Sequence, residues 1–363
     1  MRILYVINSL DGGGGALPLV DILQSFRDAG HEAIVVSLME RDGRARPAVE
    51  RAGFETIVIG GTTRRFLSTG LRLDRIVRNR QPDVILTSLS HATLTGQIVG
   101  RLRGVPVVSW QHNAWLKPAN EKWLRRLSGL SCHWITDSET VADFARKRLR
   151  LSEDRITIWP MFVADGALPS SYPGQHGPVL RLGSLGRLHR NKGYDGLIRA
   201  MARLAELSPE LAARLSVHVA GEGPELDALE NLAGELGVTN LIFEGFVDRP
   251  LEFLAALDGY VQPSHHEGLC IAAHQAMAAG LPIIASPVGE MARSIEISGC
   301  GTLIPYGDEQ GWAQALAAWL SDPKEGRRKG KMGRDWVLHH YSREKFLLRG
   351  QALFVNAGLN RLS

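Results

Sequence analysis

Short segments rich in valine and isoleucine alternate with stretches of helical periodicity, and the alternation runs twice along the chain. The first run places such segments at residues 2–7, 32–38, 56–59, 83–87, 105–109 and 134–137. The second resumes at residues 179–185 and continues through 216–220, 241–244, 259–262 and 282–285. Parallel strands cannot be joined by a tight turn and need a crossover, usually a helix, so this rhythm predicts parallel sheets. Two runs predict an α/β protein of two doubly wound, Rossmann-like domains. Ligands of open parallel sheets sit beyond the carboxyl ends of the strands, so two such sheets predict a cleft between them for two substrates.

A chain of 363 residues exceeds what one hydrophobic core normally supports. We expect a first domain over residues 1–164, a linker rich in Pro, Gly and Ser over 165–178, and a second domain over 179–332. Residues 312–320 and 333–354 read as helical with no strand after them, so residues 333–363 are expected to pack back on the first domain. Charge divides unevenly: residues 1–163 carry a net +7 and the remainder a net −3. The excess fits a solvated surface, an anionic membrane or a phosphate-bearing acceptor. Nucleic acid is not expected, because the basic residues are read as lacking exposed aromatics among them and no nucleic-acid motif is present. Three cysteines without a C-x-x-C pair argue against a disulfide framework or structural zinc. No apolar run reaches about 18 residues, and the opening strand is a poor signal peptide. The expected location is the cytoplasm.

Three motifs carry chemistry. Asp11-Gly-Gly-Gly-Gly-Ala16 follows the first strand, where glycines let backbone N–H groups approach an anion, although a tight turn reads equally well. Gly183-Ser-Leu-Gly-Arg187-Leu-His-Arg-Asn-Lys192-Gly193 runs from a strand into a loop with two cations five residues apart. Arg offers a fork of donors and Lys a compact charge, a combination suited to neutralising a diphosphate that gains charge as its bond to a sugar breaks. Pro263-Ser-His-His-Glu267-Gly-Leu-Cys-Ile-Ala-Ala-His-Gln275 leads from a strand through a loop into a helix ending near Gly280. That loop should deliver Glu267 and the N–H groups of Gly268, Leu269 and Cys270 to a helix N-terminus, which favours an anion. A carboxylate beside phosphate repels it, so Glu267 is expected to face the sugar and the N–H groups the phosphates. His266, Cys270 and His274 recur at helical spacing, but the zincin order fails, so no metal is expected. A lone thiol at Cys270 more often packs than attacks.

With these motifs in order, and with Ala220-Gly-Glu-Gly-Pro224 and Leu241-Ile-Phe-Glu-Gly-Phe-Val-Asp248 between the last two, the chain resembles the family-four retaining glycosyltransferases of GT-B fold. The match spans nearly the whole length, is most specific from Gly183 to Val288, and is looser at Arg2 to Val36 and at Ile135-Thr-Asp-Ser-Glu139. The resemblance implies metal-independent, retaining transfer of a hexosyl group from a UDP- or GDP-linked sugar, with the acceptor bound by the first domain and the donor by the second. It implies no cofactor; the nucleotide sugar is a substrate. Bacterial surface-polysaccharide or glycoconjugate synthesis is the expected setting, with a saccharide or lipid-linked saccharide acceptor at the inner face of the membrane. Arg187 and Lys192 would grip the diphosphate, Glu267 the sugar hydroxyls, and the backbone from Gly268 through Leu269 and Cys270 to Ile271 the phosphates. Phe246 and Val247 would lie near the base, Gln275 at the ribose, Gly14 and Gly15 near the phosphates, and His112 near the reacting sugar and acceptor.

Four departures stand out. The family's second glutamate is Gln275, which keeps hydrogen-bonding capacity without charge. Cys270 replaces the second glycine of E-G-x-G, Met161-Phe162 replaces Asn-Gly, and Leu17-Pro18 stands where a glutamate is usual. The intact set of Arg187, Lys192 and Glu267 argues for an active transferase. The alternatives are an epimerase or phosphorylase on the same fold, or a relative that binds a nucleotide sugar without catalysis.

Overall fold

In the computed structural model, described over residues 1–12, 18–62, 65–167 and 177–359, the chain forms two compact units. Unit 1 joins Met1–Val163 to the segment beginning at Arg343, and unit 2 is Ala164–Ser342.

Among the described residues, unit 1 is built on β1 (Arg2–Ile7), β2 (Glu32–Met39), β3 (Glu55–Gly61), β4 (Val84–Ser88), β5 (Val107–Gln111), β6 (His133–Thr136) and β7 (Ile156–Ile158). Their order is β3-β2-β1-β4-β5-β6-β7, with every pair parallel. β1 lies inside the sheet, and its run Ile3–Ile7 is wholly buried, as expected of a strand covered on both faces. Helices Phe66–Arg80, Ser90–Arg103 and Pro118–Leu127 follow β3, β4 and β5. Crossovers that advance in one direction are right-handed and share one face, and the middle helix packs against both others. On the last of them the reading of a basic surface without exposed aromatics fails. Trp123 is 52% exposed beside Lys122, Arg125 and Arg126, and Trp115 is 48% exposed just before that helix.

Unit 2 repeats the plan with β8 (Leu180–Leu185), β9 (Leu215–Ala220), β10 (Leu241–Gly245), β11 (Gly259–Gln262), β12 (Ile283–Ala285) and β13 (Gly301–Leu303). The order is β10-β9-β8-β11-β12-β13, again parallel throughout. The edge strand β10 half-buries Leu241 and Phe243 and exposes Ile242 and Glu244, an alternation that the wholly buried β11 does not share. Leu182, Val217 and Val261 from the strands meet Ile198, Met201 and Leu316 in one core. In each unit the strand order reverses beside the first strand, and the loops at that reversal are the favoured ligand position.

The stretch 333–354, read as one helix, is two: Pro323–His340 and Arg343–Asn356. The break falls at Tyr341, whose ring packs edge-on against His274 and Trp336, 5.0 and 5.8 Å between centroids. The second helix alone belongs to unit 1, where Phe346 packs on Trp159 and Phe354 on Phe26. No helix among the described residues is long and apolar enough to cross a membrane.

Candidate functional site

The loops that leave β8 and β11, adjacent strands at the reversal in unit 2, are stitched together. The His265 N–H donates to the Asn191 carbonyl at 2.9 Å, and Asn191 Nδ2 donates to the His266 carbonyl at 2.8 Å. Lys192 Nζ donates to Glu267 Oε1 at 2.8 Å. Between them Gly193 adopts φ +67°, and a Cβ there would stand 2.1 Å from the Pro263 carbonyl oxygen. Only glycine admits both the left-handed backbone and that approach.

Glu267 is fixed by a chain of polar side chains rising from the sheet. Tyr260 Oη donates to Gln262 Oε1 at 2.7 Å, Gln262 Nε2 to Ser264 Oγ at 2.8 Å, and Ser264 Oγ to Glu267 Oε1 at 2.7 Å. The Lys192 and Glu267 side chains are 20% and 11% exposed, so the ion pair is largely withdrawn from water. Burial works against the Lys192 ammonium, but the Glu267 carboxylate together with the neighbouring Cys270 and Tyr194 holds the pKa above the ordinary lysine value. One ammonium N–H is used; two remain for a phosphate oxygen. Lys192 thus offsets the charge of Glu267.

The Glu267 loop enters the helix Ile271–Ala278 through Cys270, which takes φ +60°. Burial, then the neighbouring Glu267 carboxylate, pushes the Cys270 thiol up to about 12. A thiol protonated at neutral pH is no nucleophile. Gly268, Leu269 and Cys270 are buried, and the first N–H groups of the helix that opens at Ile271 have no partner within the helix. The Gly268 carbonyl, by contrast, is held by the Glu290 N–H at 2.8 Å. Open donors at a helix N-terminus beside a lysine form an anion site. Gln275 follows one turn on, half-buried. His274 has both ring nitrogens engaged, with the Cys270 carbonyl at 3.0 Å and Ser294 Oγ at 2.9 Å, and burial lowers its pKa. Neither nitrogen is turned toward Cys270 Sγ or His266 for a shared metal.

Arg187 stands one residue beyond Gly186, where an added Cβ would lie 3.5 Å from Lys192 Nζ. The backbone on both sides of it is clamped by the Ala220–Pro224 segment. Gly186 N–H donates to the Ala220 carbonyl and Leu188 N–H to the Glu222 carbonyl, both at 2.9 Å. Leu188 is buried, whereas Arg187 is exposed and makes no ion pair among the described residues. Phe246 and Val247 leave the carboxyl end of β10, whose Gly245 carbonyl accepts from Gly221 N–H at 2.7 Å. The structure therefore brings Lys192 and Glu267 into contact, sets Arg187 beside them, and places Phe246 and Val247 two strands away.

In unit 1, Gly14 and Gly15 lie outside the described residues. His112 follows β5 directly, with Nδ1 2.9 Å from Asp137 Oδ2 and Nε2 2.7 Å from Ser88 Oγ. Asp137 also accepts from Trp110 Nε1 at 2.6 Å. A carboxylate only accepts, so Nδ1 carries the proton and Nε2 takes the Ser88 hydroxyl. The order Ser–His–Asp matches that of acyl-transfer enzymes, but Ser88 is wholly buried, so this set supports the imidazole rather than attacking a substrate. Both ring nitrogens of His112 are engaged.

Ser88, Asp137, Asn191, Gln262 and Ser264 were not singled out from sequence. Asn191 and Ser264 stood inside the quoted motifs, polar residues within three positions of the charged ones they serve. Ser88 and Asp137 reach His112 from strands adjacent to β5.

Two family profiles match the chain: "Glycosyltransferase Family 4" over residues 12–165 and "Glycosyl transferases group 1" over residues 178–336. Among curated relatives, a D-inositol 3-phosphate glycosyltransferase of Stackebrandtia nassauensis is 31% identical over 53% of this chain and 47% of its own. The chain thus spans about half the length of that relative. The lipopolysaccharide core biosynthesis glycosyltransferase LpsE of Rhizobium meliloti is 26% identical over 76% of each chain. Among solved structures, Anabaena Alr3699/HepE in complex with UDP-glucose superposes with a TM-score of 0.82, covering 98% of this chain and 99% of that one at 19% identity. That likeness establishes the fold.

Proposed function

The chain belongs to the glycosyl transferases group 1 family, and on that premise we propose that it transfers a hexosyl group, with retention of configuration, from a nucleoside-diphosphate sugar to a saccharide or lipid-linked saccharide. The observation that carries this reading is the Lys192–Glu267 pair, with Arg187 on the neighbouring loop and the N-terminus of the helix Ile271–Ala278 after Glu267. In this reading Arg187 and the free N–H groups of Lys192 hold the diphosphate and stabilise it as the sugar–phosphate bond breaks. The helix N-terminus caps the same phosphates. Glu267, held by Ser264, accepts from sugar hydroxyls, and Gln275 bonds the ribose. Unit 2 is the donor unit and unit 1 the acceptor unit. His112, at the end of β5, lies near the reacting sugar and acceptor. No step calls for a metal. The UDP and UDP-glucose named with the Anabaena structures favour a uridine nucleotide. The LpsE likeness favours an acceptor of the lipopolysaccharide type.

A thermal-shift screen against UDP, GDP, ADP and TDP tests the donor assignment. A ligand at a hundred times its Kd adds about 2.7 kcal/mol to the folded state, so one of the four should raise Tm by several degrees. If none moves it, unit 2 is not a nucleotide site.

A further inference from the structure

The face of unit 1 formed by helices Phe66–Arg80, Ser90–Arg103 and Pro118–Leu127 is unusual in two independent ways. It exposes large apolar side chains: Leu67 is 82%, Leu71 71% and Leu102 72% exposed, joined by Trp123. Leu67, Leu71 and Arg75 repeat every four residues, so they form one stripe along the first helix. Its charge is also one-sided. Asp74 and Glu121 are the only acidic residues on the three helices, and both are already engaged. Asp74 is held by Arg78 and Arg103, and Glu121 by Arg148. Arg75, Arg101, Lys122, Arg125 and Arg126 are exposed and make no ion pair among the described residues. A folded unit does not need leucines in water, and a basic face with its acids neutralised is not an ordinary mixed surface.

We propose that this three-helix face is the surface by which the protein docks on an anionic lipid bilayer. The leucines and Trp123 enter the headgroup boundary, while Arg75, Arg101, Lys122, Arg125 and Arg126 meet lipid phosphates. Aliphatic side chains among the cations favour a bilayer over nucleic acid, whose bases stack on aromatic rings and gain little from leucine. Positive charge at every free ionic position favours an anionic surface over a second copy of the same face, which would repel it. The proposal rests on the transferase reading only in supplying a reason to be at a membrane, that is, a lipid-linked acceptor.

Co-sedimentation with vesicles of phosphatidylglycerol mixed into phosphatidylcholine, and with pure phosphatidylcholine, tests it on the full chain. The parent should bind the anionic vesicles, and salt should weaken that binding without abolishing it, because the apolar contacts are not screened. At roughly fivefold per basic side chain, Arg101→Gln, Arg125→Gln and Arg126→Gln together should weaken binding on the order of a hundredfold. Leu67→Ser, Leu71→Ser and Leu102→Ser together should remove the part that survives salt. All six positions are exposed, so an unchanged Tm verifies that both variants remain folded. A parent that ignores anionic vesicles, or variants that bind them as well as the parent, overturn the proposal. So does stronger retention by a random-sequence RNA, or self-association that the leucine variant abolishes. The UDP thermal shift of the same preparations separates the two readings. Nucleotide response without vesicle binding refutes the docking face alone, and vesicle binding without nucleotide response refutes the donor site alone.

Discussion

The Arg187→Ala variant is expected to lose activity without losing stability: kcat should fall by about 10²–10³, while unfolding stays within about 0.5 kcal/mol of the parent. Both halves follow from how the residue is held. Its neighbours Gly186 and Leu188 are fixed to the Ala220 and Glu222 carbonyls through backbone bonds that do not involve the guanidinium. The side chain is exposed and makes no ion pair among the described residues, so its removal empties no core and orphans no buried charge. What is lost is a fork of donors aimed at charge that grows in the transition state. Lysine keeps the charge but not the fork, so Arg187→Lys should recover only part of the rate. Steady-state kinetics with a nucleotide sugar and urea denaturation of the same variant provide the two numbers. Near-normal turnover would remove Arg187 from the mechanism.

Changes at Lys192 and Glu267 should act in both ways at once. Removing either partner of a largely buried pair leaves the other charge uncompensated, so Lys192→Ala and Glu267→Ala should each destabilise by about 3 kcal/mol. Each should also cost about 10²-fold or more in kcat. The double variant should be more stable than the sum of the two single losses implies, because no charge is left alone, yet it should be no more active than either. The pH dependence has a definite sign. The Lys192 pKa is raised in the fold by Glu267, with Cys270 and Tyr194, acting against burial, so its contribution is complete below the ordinary lysine value and is lost only as pH rises beyond it. The stability gap between parent and Lys192→Ala should therefore hold steady from about pH 6 to about pH 9. Additive losses, with an inactive but otherwise stable Lys192→Ala, would show that the pair does not stabilise the fold.

What could be read from residues followed how local the cause was. Strand β1 is legible to the residue because Ile3–Ile7 is an unbroken apolar run, and β11 because its four residues lie directly before the turn at Pro263. β7 and β13 are not legible, because three residues each are too few to show a period. The break near Tyr341 carries no glycine or proline and is made by ring packing on His274 and Trp336, which no helical pattern contains. At the site, Arg187, Lys192 and Glu267 announced themselves as charges flanked by glycines at strand ends. That Lys192 and Glu267 would touch across 75 residues depends on which strands become neighbours, and that is decided by sheet order. The same holds for Asp137 and Ser88 around His112. Trp123 is exposed among the basic residues of its helix, and Leu124 is the residue that turns inward.

The most direct measurement is a crystal structure of the protein with uridine diphosphate bound. The diphosphate oxygens should lie within hydrogen-bond reach of the Arg187 guanidinium, the Lys192 ammonium and the backbone N–H groups of residues 268–271, with Glu267 still held by Ser264. A diphosphate bound away from the loops that follow β8 and β11 would contradict the assignment, whatever activity the protein shows.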